Sequence, residues 1–144
     1  MKKVAYENLT KENINKNLFD VDFEFEDLSV IEKQLLKDYI NKINEKEMEF
    51  DLMSIDKVVQ PLDVLIRLKN NKTTGDVLIK MKDKDDRVLG IFKFKTLKVT
   101  EISNLIDFDF NEADWKSGQK TLTINFIYDD ILYSSDGKEY EKLT

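Results

Sequence analysis

The run 121–129, Thr-Leu-Thr-Ile-Asn-Phe-Ile-Tyr-Asp, constrains the fold more than any other stretch of the chain. Leu122, Ile124, Phe126 and Tyr128 fall on one side of an extended backbone, and Thr121, Thr123 and Asn125 fall on the other. A period of two can bury only one face, so the run predicts a half-buried strand, and a strand needs a sheet. The same period recurs at 18–26. There Phe19, Val21, Phe23 and Phe25 share one face, and Asp20, Asp22, Glu24 and Glu26 share the other. Like charges at alternate positions of a strand lie about 7 Å apart and repel unless they are solvated or paired. The row Asp20, Asp22 and Glu24 should therefore face solvent or the Lys and Arg of a partner, and not a dry interface.

A helix should follow at 29–45. Ser29 and Glu32 have the spacing of a capping box, and Asp27 adds negative charge ahead of the helix start. Leu28, Ile31, Leu35, Tyr39 and Ile43, widened by Leu36 and Ile40, recur at helical spacing, with Lys33, Lys37, Asp38, Lys42 and Glu45 on the other side. Residues 47–55 predict a strand through Met48, Phe50 and Leu52. Pro61 marks a turn or strand start, and 62–68 reads as a strand with Leu62, Val64, Ile66 and Leu68 on one face. After a turn cluster at 70–75, 77–82 and 88–95 make a hairpin around the loop 83–87. Residues 97–102 stay extended, 106–110 form a short strand, and 111–119 form a loop holding Trp115. Ser134-Ser-Asp-Gly137 opens a polar tail.

About seven or eight strands joined mostly by short turns, with one amphipathic helix, predict an α+β fold. Its sheet is mostly antiparallel, a β-sandwich or partly open barrel with the helix packed on it. The expected organisation is an N-terminal arm at 1–17, a single domain at 18–133 and a polar C-terminal tail at 134–144. At 144 residues one core suffices.

Function classes fall away on composition. Cysteine and histidine are both absent, which removes disulfides, thiol nucleophiles, most zinc sites and His-based acid–base chemistry. Asp83-Lys-Asp-Asp-Arg87 resembles a calcium loop, but Val88 and Phe94 stand where that loop needs Gly and Glu, so it reads as a solvated turn. The acidic faces Asp20, Asp22, Glu24 and Asp107, Asp109 read as solvated before they read as metal or acid–base sites. The nine Phe and five Tyr lie mostly on apolar strand faces, where core packing explains them better than base stacking. Lys80, Lys82, Lys93 and Lys95 flank the hairpin and read as edge protection. No catalytic residue, metal ligand or cofactor is expected. A net charge of −6 with scattered lysines argues against a dedicated nucleic-acid binder. Apolar runs reach only three residues, as at Val64-Leu-Ile66, so no membrane-spanning helix is expected, and the start Met-Lys-Lys-Val-Ala-Tyr-Glu lacks the apolar core of a signal peptide.

Within 76–133 a strand, a charged turn of the Asp-x-Asp kind, a second strand, a connector and a closing strand follow one another. The pieces are Val77-Leu-Ile-Lys-Met-Lys-Asp-Lys-Asp-Asp-Arg-Val88, Phe92-Lys-Phe94, Val99-Thr-Glu-Ile102, Leu105-Ile-Asp-Phe-Asp109 and Leu122-Thr-Ile-Asn-Phe-Ile-Tyr-Asp129. This order, with its closing aromatic-Asp, resembles the C-terminal half of the tail-tube proteins of contractile-tailed bacteriophages. Asn17-Leu-Phe-Asp-Val21 is similar to an early strand of that family. The resemblance implies a non-enzymatic virion structural protein, assembled in the host cytoplasm. Its copies would join edge to edge into a ring, a hexamer, around a DNA channel, with other tail proteins as further partners. DNA would pass without sequence-specific binding, and no membrane is involved. Tube, terminator and baseplate adaptor all fit. In such a ring, Asp20, Asp22 and Glu24 could face the channel and repel phosphates. The alternative is a small soluble interaction module that binds a host or phage protein.

Overall fold

The computed structural model describes residues 18–54, 58–103 and 121–143. The alternating run near the start forms β1, Phe19–Glu24, and buries Val21 and Phe23, with Phe25 buried just beyond it. Helix α1, Val30–Tyr39, begins where the capping box places it. Ser29 Oγ accepts the Glu32 N–H at 3.1 Å, and Glu32 Oε1 accepts the Ser29 N–H at 2.9 Å.

Two sequence expectations are corrected. First, α1 stops at Tyr39 and does not run on to 45. Ile40 is extended (φ −73°, ψ 132°) and opens β2, Ile40–Ile43. Ile40 and Ile43 continue the helical spacing, yet they are β-branched and find better burial opposite Phe50 and Met48 of β3, Glu47–Asp51. Asn44 closes that hairpin, its Oδ1 accepting the N–H groups of Lys46 and Glu47, each at 2.9 Å. Ile31, assigned to the apolar stripe, is 67% exposed. Second, the expected strand at 62–68 is part of helix α2, Pro61–Asn70. Its buried residues Pro61, Val64, Leu65 and Leu68 have the i, i+3, i+4, i+7 spacing of a helix, and Pro61 occupies the first turn, where its missing N–H costs nothing. Over seven residues a period of two and a period of 3.6 share positions, here Val64 and Leu68, so the short run supported either reading.

The predicted hairpin forms as β4, Thr74–Lys82, and β5, Val88–Ser103. At 16 residues β5 is the longest strand among the described residues. Along one side it pairs with β4. Along the other it has two partners in turn: β7, Asp130–Ser134, against residues 91–95, and β6, Thr121–Ile127, against 98–103. Thr96 sits at the changeover with φ +57°, and its N–H donates to Asp76 Oδ1 at 3.0 Å. The Asp129 N–H reaches Lys95 O at 2.9 Å just beside it. This local left-handed residue adds a kink that bends one long strand into two wings.

Strand order is β1-β4-β5-β6-β3-β2, all antiparallel, with β7 branching from β5 and β8, Glu141–Lys142, pairing with β7. Among the described residues the sheet is open, not closed into a barrel, and there are two helices. Leu122, Ile124 and Phe126 of β6 are buried, as their alternation requires. They join one core with α1, α2, β1, β3, β4 and β5. Past Ser134 the chain turns on Ser134 Oγ, which accepts the Gly137 N–H at 2.8 Å, and returns to the sheet, where Leu143 packs on the core. The arm at 1–17, the strand at 106–110 with Asp107 and Asp109, and the loop with Trp115 lie outside the described residues.

Candidate functional site

Strand β1 ends the sheet, pairing only with β4 among the described residues. The Lys82 N–H donates to Leu18 O at 2.7 Å, which fixes the phase of the ladder. In an antiparallel pair the hydrogen-bonded residues alternate. The backbone groups of Asp20, Asp22 and Glu24 therefore point at β4, and those of Phe19, Val21 and Phe23 point outward from the edge. Core-facing side chains come from the odd positions, so the row Asp20, Asp22, Glu24 lies on the face turned away from the core.

That row meets lysines of its own chain. Lys82 Nζ lies 2.9 Å from Asp20 Oδ2, and Lys80 Nζ lies 3.0 Å from Asp22 Oδ2. Lys37 Nζ, from α1, donates to Asp22 Oδ1 at 3.2 Å. Burial pushes the Asp22 carboxyl up, but the Lys80 and Lys37 ammonium groups outweigh it and hold the carboxyl below the usual range. The same contact with Asp22 raises Lys80. Glu24 is exposed and stands opposite Asp76 in the register. The acidic row and half of the lysine stripe are thus one cross-strand network. Period-two spacing marks both rows, but which strands are neighbours is not written in either. Lys37 was missed: on the sequence it sits on a solvated helix face.

A groove of about 270 Å³ runs beside the β1 edge, lined by Asp22, Phe23 and Glu24 on one side and Val30, Lys33, Gln34 and Lys37 of α1 on the other. At the far end of the sheet, β2 pairs only with β3 among the described residues and carries Lys42 with no carboxylate.

The remaining candidates are structural. Asp83 Oδ1 accepts the N–H groups of Asp85 and Arg87, and Asp83 Oδ2 accepts Arg87 Nε–H, which is the chemistry of a braced turn. Lys93 lies over the Tyr140 ring, 4.3 Å from its centroid. Among the described residues no group of three or more His, Cys, Asp or Glu could hold a metal ion, and no helix is long and apolar enough to cross a membrane.

By sequence, no family model and no curated protein matches the chain. By structure it is similar to solved tail-tube-like proteins. A crystal structure of an Hcp protein aligns with a TM-score of 0.55 at 8% identity, covering 87% of this chain and 95% of that one. A chain from the baseplate of the anti-feeding prophage, solved by cryo-EM with sixfold symmetry imposed, aligns at 0.53 and 11% identity, covering 82% of this chain and 93% of that one. The secreted protein Hcp3 from Pseudomonas aeruginosa aligns at 0.51 and 6% identity over 86% and 96%. The fold is tail-tube-like, in agreement with the resemblance read from 76–133.

Proposed function

We propose that this chain is a non-enzymatic structural protein of a virion, a tail tube or tube-associated component whose copies join into a ring around a channel. The observation that carries this reading is the near-complete alignment, over both chains, with Hcp proteins and with a baseplate of sixfold symmetry. The sheet itself supports it. It ends in two different edges, β1 and β2, each unpaired on its outer side among the described residues. A contact between two different surfaces is heterologous, and it closes into a ring when the rotation per copy divides a full turn. Six copies per ring is the number we propose, by analogy with the baseplate. Assembly would take place in the host cytoplasm, with other tail proteins as partners.

The helices and core occupy one face of β1, so the opposite face, with Asp20, Asp22 and Glu24, would line the channel. Lys37, Lys80 and Lys82 neutralise much of that row, which leaves Glu24 and Asp76 to repel phosphates. With an overall charge of −6, DNA would pass and not be held. Negative-stain imaging and light scattering of the purified full chain test the reading. Rings or short tubes with a central hole are expected. A protein that stays monomeric at every concentration would overturn it and favour a small interaction module.

A further inference from the structure

Two apolar side chains are buried on the face of the sheet that turns away from the core. Val77, Ile79, Phe92 and Phe94 point into the core. Alternation therefore puts Leu78 of β4 and Ile91 of β5 on the opposite face, with Asp20 and Asp22. Both lie outside the main core, yet Leu78 is 8% exposed and Ile91 9%. The buried leucines of α1 and α2 pack into the main core and do not cover them. The chain after β7 does. Gly137 stands against Ile91, where an added Cβ would come within 3.4 Å of Ile91 Cδ1. Tyr140 takes Lys93 against its ring, and Lys93 stands opposite Leu78 in the register. Burial and the Glu24 carboxylate push the Tyr140 hydroxyl up, while Lys80 acts the other way. The ring thus lies between Lys93 on one side of Leu78 and Glu24 and Lys80 on the other.

The two parts of this cover are held differently. The turn 134–139 is braced. Ser134 Oγ accepts the Gly137 N–H, and Asp136 Oδ1 accepts the N–H groups of Lys138 at 2.8 Å and Glu139 at 3.2 Å. Beyond it, β8 is only Glu141 and Lys142, both exposed, and among the described residues it pairs only with β7. Lys142 Nζ lies 3.6 Å from Asp130 with its side chain 66% exposed, a weak tie. A pairing this short and exposed can open while the core stays folded. We propose that residues 140–143 are a flap hinged on the braced turn, and that the patch beneath it, Leu78 with Lys93, binds an aromatic side chain flanked by carboxylates from another polypeptide. The flap itself supplies the model for that partner. Glu139-Tyr140-Glu141 occupies the patch from within the chain, its ring against the Lys93 ammonium. Once the flap lifts, Lys93 loses its ring and Leu78 its cover, and a segment of the same chemistry can take its place. The patch requires neither a second copy nor a ring.

The test uses the full chain, followed by NMR, and a synthetic peptide with the sequence of 137–144. Leu143 anchors the end of the flap on the core, and its N–H, donated to Ile131 O at 2.9 Å, reports each opening. That amide should exchange with solvent about a hundredfold faster than the Phe92 amide, which lies between β4 and β7. Leu132 and Lys142 face each other as a non-hydrogen-bonded pair, whose Cα atoms lie about 4.5 Å apart, within reach of a disulfide. The chain has no cysteine, so Leu132→Cys with Lys142→Cys locks the flap when oxidised and frees it when reduced. The peptide should shift the Leu78 and Lys93 resonances saturably, and bind about tenfold more weakly to the oxidised form than to the reduced one. Tyr140→Ala in the full chain should tighten peptide binding about two- to fivefold, the range of an exposed cation–π contact. The same substitution in the peptide should weaken it. Equal exchange at Leu143 and Phe92 would overturn the flap. Peptide binding that is equal in the oxidised and reduced forms, or absent from every form, would overturn the patch.

Discussion

Glu32 serves two partners. One carboxylate oxygen takes the Ser29 N–H at the start of α1, and both oxygens accept from Arg67 of α2, at 2.6 and 2.8 Å. The Arg67 guanidinium, helped by the Ser29 contact, holds the carboxyl down from 4.5 to about 2. The folded value lies below the ordinary one, so the pair stabilises the protein above pH 4.5, and that contribution fades as pH falls from 4.5 through about 2. Denaturant melts should show wild type losing stability over this acid window faster than Glu32→Gln; parallel pH profiles would mean the pair contributes nothing. Near neutral pH, Arg67→Met should cost about 1–2 kcal/mol, since Glu32 would keep its helix cap but lose a two-pronged charged partner. The cap was legible because it is local, three residues apart. The Arg67 bond, 35 residues away in the chain, was not.

At the scale of elements, the changeover in β5 turns on one residue. Thr96 is β-branched and sits at φ +57°, a conformation that costs L residues about 1–2 kcal/mol. The native contact there is made by its backbone N–H to Asp76, which any non-proline residue retains. Thr96→Asn, or Thr96→Gly, should therefore raise stability by about 0.5–1 kcal/mol, read as a higher denaturation midpoint with an unchanged slope. A fall in the midpoint would show that the threonine side chain matters more than the strain. Gly75, two residues before the paired Val77, shows the opposite constraint: a Cβ there would meet the Phe25 ring at 2.5 Å and Glu24 O at 2.7 Å. Bends of this kind leave little trace in hydropathy. Residues 97–102 read as a continuation of one strand, and they are one, but nothing in their pattern says that the strand changes partners.

At the scale of the whole molecule, the described residues share one hydrophobic core. Residues from every wing contribute, from Val21 on β1 to Ile131 on β7, with Leu36 and Leu65 from the two helices. Loss of any wing exposes surface that the others need buried, so unfolding should be one cooperative step. Far-UV and near-UV circular dichroism should give coincident melting curves. An early near-UV phase would mean that the β7 wing opens alone. The charge of −6 belongs to this scale too. It bears on solubility and on what the surface repels, and it does not select the fold.

Alternation and capping determined the strands β1, β3 and β6, the β4–β5 hairpin and the start of α1, because each is specified by residues within one or two turns or pleats of each other. The tail-tube resemblance of 76–133 was likewise a matter of element order, and the fold agrees with it. Where helix and strand periods overlap, the decision passed to the tertiary structure. Ile40 and Ile43 became β2 because β3 lay beside them, and Val64 and Leu68 became helical because the core wanted Leu65 as well. The acidic row was visible as a pattern, but its meaning changed once β4 and α1 supplied Lys80, Lys82 and Lys37. Sequence spacing fixes which face a side chain takes. Only the packed chain decides which distant residue stands opposite it, because that depends on the net free energy of burying all the faces together.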